Sequence, residues 1–216
     1  VGVAWQVRVT SEGVAVDGPV ALPLLYPEDP DPDDYSRPWD LTETVDGVAI
    51  VAGGTGSESV TWTIAAAPED GTLAVLSVQA VDGLGPEWST CYGINRSLAV
   101  SGQADGPLPY VQSPGQDPVF LSVPRKTLYG GAWDINDLDE VVGYAAIDER
   151  NLGHPGKDYA QLWRGSERID LTSQIPRDSG WARLRSATVV NNIGVIAGYG
   201  WFDVATRGFI MIPNTP

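Results

Sequence analysis

Four segments of this 216-residue chain share one short pattern, and no other feature restricts its folds as strongly. They are Trp39-Asp40-Leu41-Thr42, Tyr92-Gly93-Ile94-Asn95, Trp133-Asp134-Ile135-Asn136 and Thr188-Val189-Val190-Asn191. Each precedes a turn, a short apolar run and a glycine, namely Gly53, Gly102, Gly143 and Gly198. In the last three copies the glycine follows the Ile or Val by eight residues; the first copy is four longer, which reads as an insertion in its turn. The glycines are spaced by 49, 41 and 55 residues, the size of a four-stranded repeat unit.

Each unit holds a second pair of strands. The clearest pair is 159–164 with 168–171; weaker counterparts are 60–64 with 73–78, and 119–123 with the stub after it. The last copy keeps only 207–212. At the N-terminus, 2–7 resembles the third strand of a unit and 13–16 could supply the fourth. Helical periodicity is scarce, and 25 Gly and 17 Pro interrupt the chain throughout. Short β-branched and aromatic runs between turn residues read as strands instead. The expectation is an all-β, β-propeller-like array of four-stranded repeats, with four or five blades and N-terminal strands placed to close the ring. The count is two strands followed by four, four, four and three, which fills neither four nor five blades evenly. As a single domain over 1–216, it divides into an N-terminal partial blade (1–25), an acidic Pro-rich loop (26–38) and repeats at 39–88, 89–130, 131–181 and 182–213.

Composition narrows the function. With 13 Lys+Arg against 28 Asp+Glu, the formal net charge is −15. Phosphate binding draws on Lys and Arg, so a general nucleic-acid surface is excluded, and anionic membranes repel such a chain. No apolar run reaches the ~18 residues of a membrane span. One cysteine, Cys91, excludes an intrachain disulfide and thiol-based zinc sites, and one histidine, His154, excludes a His-rich metal site. The acid excess favours solubility in a salty exterior. Residue 1 is Val and no signal peptide is visible, so the chain reads as a processed form or a trimmed piece.

The motifs resemble the HAF-repeat family of extracellular bacterial repeat proteins, which repeat a core like Ile-Asn-x-x-Gly-x-Val-Val-Gly, then an Ala-Phe-Leu-Trp-like strand and an Asp-Leu. Asp134-Ile135-Asn136-Asp137-Leu138-Asp139-Glu140-Val141-Val142-Gly143 matches, followed by Ala160-Gln161-Leu162-Trp163 and Asp170-Leu171. Val190-Asn191-Asn192-Ile193-Gly194-Val195-Ile196-Ala197-Gly198 matches as well. The likeness spans about 39–213 and is strongest over 131–213. It implies secretion and a propeller-like fold, and carries no catalytic residues.

Candidate sites are few. Asn95, Asn136 and Asn191 occupy one repeat position, where Asn suits a turn. Asp134, Asn136, Asp137 and Asp139 also offer closely spaced oxygens to a calcium ion. The acidic loop offers Glu28, Asp29, Asp31, Asp33 and Asp34, read as a solvated spacer with calcium as the specific alternative. Trp39 and Trp133 match Tyr92, and Trp62, Trp163 and Trp5 match one another; recurrence at one blade position reads as packing between blades. Trp181, Trp201, Phe202 and Asp203 do not recur, and aromatics beside a carboxylate suit sugar stacking. No catalytic residue stands out: His154 has no G-x-S-x-G elbow beside it, and Gly53-Gly54-Thr55-Gly56-Ser57 lacks the Lys of a phosphate loop.

The leading expectation is a non-catalytic, secreted or cell-surface module whose partners are an extracellular glycan, a protein or copies of itself. The first alternative is a glycoside hydrolase-like enzyme using propeller carboxylates. The second is a structural protein that self-assembles by strand addition. Calcium is the one cofactor the residues suggest.

Overall fold

The structure is a computed structural model that describes residues 2–10, 13–26, 28, 35–42, 46–66, 72–85, 88–104, 106, 108–147 and 157–213. The described residues are all-β apart from one 3-10 turn at Leu171–Gln174. Among the described residues no helix is long and apolar enough to cross a membrane.

Strands β1 (Val3–Thr10) and β2 (Gly13–Ala21) form a hairpin. Four antiparallel sheets follow, each a meander in chain order. The first contains β3 (Ser36–Leu41), β4 (Val48–Thr55), β5 (Glu58–Ala66) and β6 (Leu73–Ala80). The second contains β7 (Ser89–Ile94), β8 (Val100–Ala104), β9 (Leu108–Gln112) and β10 (Val119–Phe120). The third contains β11 (Thr127–Ile135), β12 (Glu140–Ile147), β13 (Lys157–Arg164) and β14 (Glu167–Asp170). The fourth has three strands, β15 (Trp181–Val190), β16 (Ile196–Phe202) and β17 (Ala205–Met211). The four-stranded antiparallel sheets expected from the repeats are therefore present, and among the described residues no strand pairing joins one sheet to the next. β1 and β2 pair with each other and leave the outer edge of β17 without a fourth strand among the described residues.

One device recurs in every sheet. The first strand carries a β-bulge that skips Trp39, Tyr92, Trp133 or Thr188 in the ladder to the second strand. A bulge leaves its extra residue unpaired and re-aims its side chain. The repeat glycine sits opposite the residue just before the bulge, where a first-strand carbonyl (Arg37, Thr90, Gly131 or Ser186) lies too close for any Cβ. The glycines are fixed by this close approach.

Sheets stack through apolar clusters between neighbours. Ala52 of the first sheet packs with Cys91, Ile94, Val100, Ala104 and Tyr110 of the second. Ala132, Ile135, Val141 and Trp163 of the third enclose Ala99, with Val111 and Leu121 beside them. Val142, Ala160 and Leu162 of the third meet Leu184, Ala187, Val190, Ile196 and Phe209 of the fourth. The first sheet's other side is covered by Leu22, Ala4 and Leu25, which follow or belong to the N-terminal hairpin. The recurring Trp62 and Trp163 are 0% and 1% exposed, and each indole N–H donates to a connecting carbonyl, Pro23 at 2.9 Å and Ser122 at 2.7 Å. Packing accounts for this pair, while the side chain of Trp5 lies outside the described set.

Candidate functional site

The bulges decide where the other recurring aromatics go. Trp39, Tyr92, Trp133 and Thr188, from the first strands of all four sheets, line one cavity of about 410 Å³ together with Asp40, Asp134, Ser186, Val189 and Tyr199. Trp39 and Trp133 do contact neighbouring sheets, through Tyr92 and Ser186, and they also line this cavity, which packing alone did not anticipate. Trp39 is 49% exposed, because the unpaired bulge residue turns toward the space where the first strands converge. The rings form a run: Trp39 to Tyr92 at 5.3 Å and 70°, Tyr92 to Trp133 at 4.4 Å and 57°, and Trp133 stacked on Tyr144 at 5.4 Å and 12°. The sequence signal for this site is the pairing of an aromatic with an acid in Trp39-Asp40 and Trp133-Asp134.

The two carboxylates brace one repeat to another. Asp40 accepts from Leu41 N at 2.8 Å and, across sheets, from Ile94 N at 2.9 Å. Asp134 accepts from Ile135 N at 2.9 Å and from Val190 N at 2.7 Å. Burial nevertheless raises the Asp134 carboxyl to about 6, with the Asp40 charge adding to the shift and the two backbone bonds opposing it. Burial also pushes the Tyr92 phenol well above its ordinary range and the Tyr144 phenol to about 12. Cys91 is fully buried with its thiol pushed up to about 12, again by burial, so it stays protonated and packs as a small apolar group.

The repeat turns gather at a smaller pocket lined by Asn95, Asn136, Asp137, Asn191 and Asn192. Here the asparagines form a ladder. Asn95 Nδ2 donates to Asn136 O at 3.1 Å and to Asp139 Oδ1 at 2.9 Å; Asn136 Nδ2 donates to Asn191 O at 3.0 Å and to Glu140 Oε2 at 2.8 Å. Asp137 accepts from Arg96 N at 2.9 Å and from Asn192 Nδ2 at 2.6 Å. The side-chain oxygens considered for calcium at Asp134, Asp137 and Asp139 thus hold neighbouring repeats together, while Asn136 Oδ1 accepts from Leu138 N and Glu140 N in its own turn. Among the described residues no group of three or more His, Cys, Asp or Glu side chains is gathered to hold a metal. Glu28 is exposed, while Asp29, Asp31, Asp33, Asp34 and His154 lie outside the described residues.

Trp181, Trp201, Phe202 and Asp203 come together at one end of the fourth sheet. Trp181 meets Phe202 at 5.1 Å and Phe209 at 6.2 Å and packs on the core; Trp201 is half-buried. Asp203 sits in the β16–β17 turn with its N–H on Gly180 O at 3.0 Å. None of the four lines the aromatic cavity. A larger groove of about 560 Å³ runs between the first two sheets. No aromatic ring lines it, and the Gln112 amide within it is already held by Asp82 O and Gln116 O, so the smaller cavity is the better candidate. No family model, curated protein or solved structure matches the chain.

Proposed function

We propose that the chain is a non-catalytic binding module of a secreted or cell-surface protein, with the aromatic cavity as its ligand site. The observation that carries this is the convergence of Trp39, Tyr92, Trp133 and Tyr199 on one cavity, three of them re-aimed by a repeated bulge. Partly exposed aromatics around a concave space are what binding sites use. The propeller-like ring and the HAF-repeat likeness belong to the same proposal. They are supported by first strands from all four sheets facing a common space, and secretion by the acid excess. The partners in view are a glycan or an extracellular protein. The test follows tryptophan fluorescence while the chain is titrated with a panel of oligosaccharides and small organic ligands. A saturable change that Trp39→Ala or Tyr199→Ala removes, with melting temperature retained, is expected. No saturable change with any ligand overturns the reading.

One observation favours a second reading. Asp40 and Asp134 line the same cavity, and a buried carboxyl raised to about 6 suits a general acid in glycoside hydrolysis. Release of reducing ends from a polysaccharide panel would establish it, and absence of turnover at pH 5–7 removes it.

A further inference from the structure

Most polar groups of the aromatic cavity already have partners; among the described residues, the Trp39 indole N–H and the Tyr199 hydroxyl are the lining groups left with donors to offer. Both oxygens of Asp40 and of Asp134 accept backbone N–H groups. The Trp133 indole N–H donates to Ser186 Oγ at 3.0 Å, and the Thr188 hydroxyl lies 3.3 Å from Ala197 O. The Tyr92 hydroxyl faces Gln103 Oε1 at 3.4 Å. Apart from those two donors, the lining offers mainly ring surface and negative charge.

We propose that this cavity binds a quaternary ammonium head group, an inference that rests on the binding-module reading and names its ligand class. A sugar needs donors and acceptors that have no better partner, because each hydroxyl it buries unpaired costs about 1–3 kcal/mol. A quaternary ammonium carries no N–H and asks for none; ring faces within about 6 Å and a nearby charge hold it. The ring inclinations fit this demand. Successive planes tilt by 70° and 57°, so the rings present faces and edges at several inclinations rather than one flat platform for a pyranose.

The charges that line the cavity itself are negative. Asp40 and Asp134 line the cavity, and among the described residues no Lys or Arg does. Arg185 lies 6.0 Å from the Tyr199 ring, but Asp158 neutralises it at 2.6 Å. Arg37 packs over Tyr35 at 4.7 Å and over Trp39 at 5.7 Å; it shows that the Trp39 ring takes a cation, and it is the positive charge beside the cavity that a bound cation has to displace or tolerate. Desolvation, which raises Asp134 to about 6, has the matching consequence: a bound cation favours the ionised carboxylate, so affinity rises with pH through 6.

The test titrates the intact chain calorimetrically with choline and with 3,3-dimethylbutan-1-ol, its uncharged carbon counterpart of the same shape. The expected result is choline at least ~10-fold tighter, with Trp39→Ala weakening choline by ~10-fold while melting temperature holds. Tyr199→Ala is the second variant should Trp39→Ala unfold. Sedimentation with phosphatidylcholine vesicles separates the sources: co-sedimentation assigns a lipid head group, and its absence assigns a soluble ligand. Equal affinity for the two alcohols overturns the inference, and so does absence of choline binding. If an oligosaccharide binds and choline does not, the ammonium assignment falls and the binding module stands; if nothing binds, both fall.

Discussion

The third and fourth sheets carry the same repeat, but the third is covered on both faces and the fourth on one. Leu162 and Ile210 occupy equivalent places, each paired with the residue before the repeat glycine, yet they are 4% and 71% exposed. Asp134 braces the fourth sheet through Val190 N, while its counterpart Val189 is 52% exposed with no further sheet to brace. Asn136 is buried and reaches Asn191 O, whereas Asn191 is exposed and closes only its own turn, accepting from Ile193 N and Val195 N. Burial in this chain is therefore set by the next sheet in line. The opposite end differs again, since the N-terminal hairpin and Leu22 cover the first sheet.

The largest test of that contrast is a pair of truncations. Leu162→Ala should cost about 2–5 kcal/mol, from lost burial and the cavity left behind. Ile210→Ala should cost less than about 0.5 kcal/mol, because its side chain is already in solvent. Chemical denaturation reads both. Equal costs would mean that something covers the fourth sheet in solution, and the contrast would be lost.

Acid titration comes next. Asp134 has its folded value raised to about 6 from an ordinary 3.8, so the folded state holds its proton more tightly. The sign follows: this residue's contribution is fully present below about pH 4 and is lost as pH rises to about 6, by on the order of 2–3 kcal/mol. Asp134→Asn should remove that component from the stability profile. Val189→Asp, at the uncovered counterpart, should add none.

Smaller still is the ladder. Asn136→Ala should cost about 2 kcal/mol, since it leaves buried backbone groups unpaired, against about 1 kcal/mol for Asn191→Ala, which loses turn bonds in solvent. Thermal melts of the two variants would rank them. The least effect belongs to Arg164→Ala. Its 2.6 Å pair with Glu140 is half-exposed on the arginine side, and its loss should cost under about 1 kcal/mol and fade with added salt.

The repeat made the strand plan legible, because glycine spacing and β-branched runs report local backbone demands. Gly53, Gly102, Gly143 and Gly198 each stand where a first-strand carbonyl leaves no room. The second sheet was harder to place. Its third strand is β9, hidden by Pro107 and Pro109 because proline reads as a strand breaker; residues 119–120 form the fourth strand instead. Pro109 is tolerated where it faces Gln103, and its carbonyl accepts from Leu121 N at 2.9 Å. The cavity was harder still. Recurrence at one position suggested packing for Trp62, Trp163, Trp39 and Trp133 alike, and only pairing register separates them. Trp62 and Trp163 sit in regular ladder positions, while Trp39 and Trp133 occupy bulges. A one-residue irregularity in pairing leaves no mark in composition or periodicity.

The bulge has a consequence for how such a protein could diversify. A residue skipped by the ladder makes no backbone pair with the next strand, and the strand on either side is registered without it. Positions 39, 92, 133 and 188 are thus four interchangeable sockets on a fixed frame. The lining of the cavity can be changed at them one repeat at a time, while the four glycines that hold the frame stay constant.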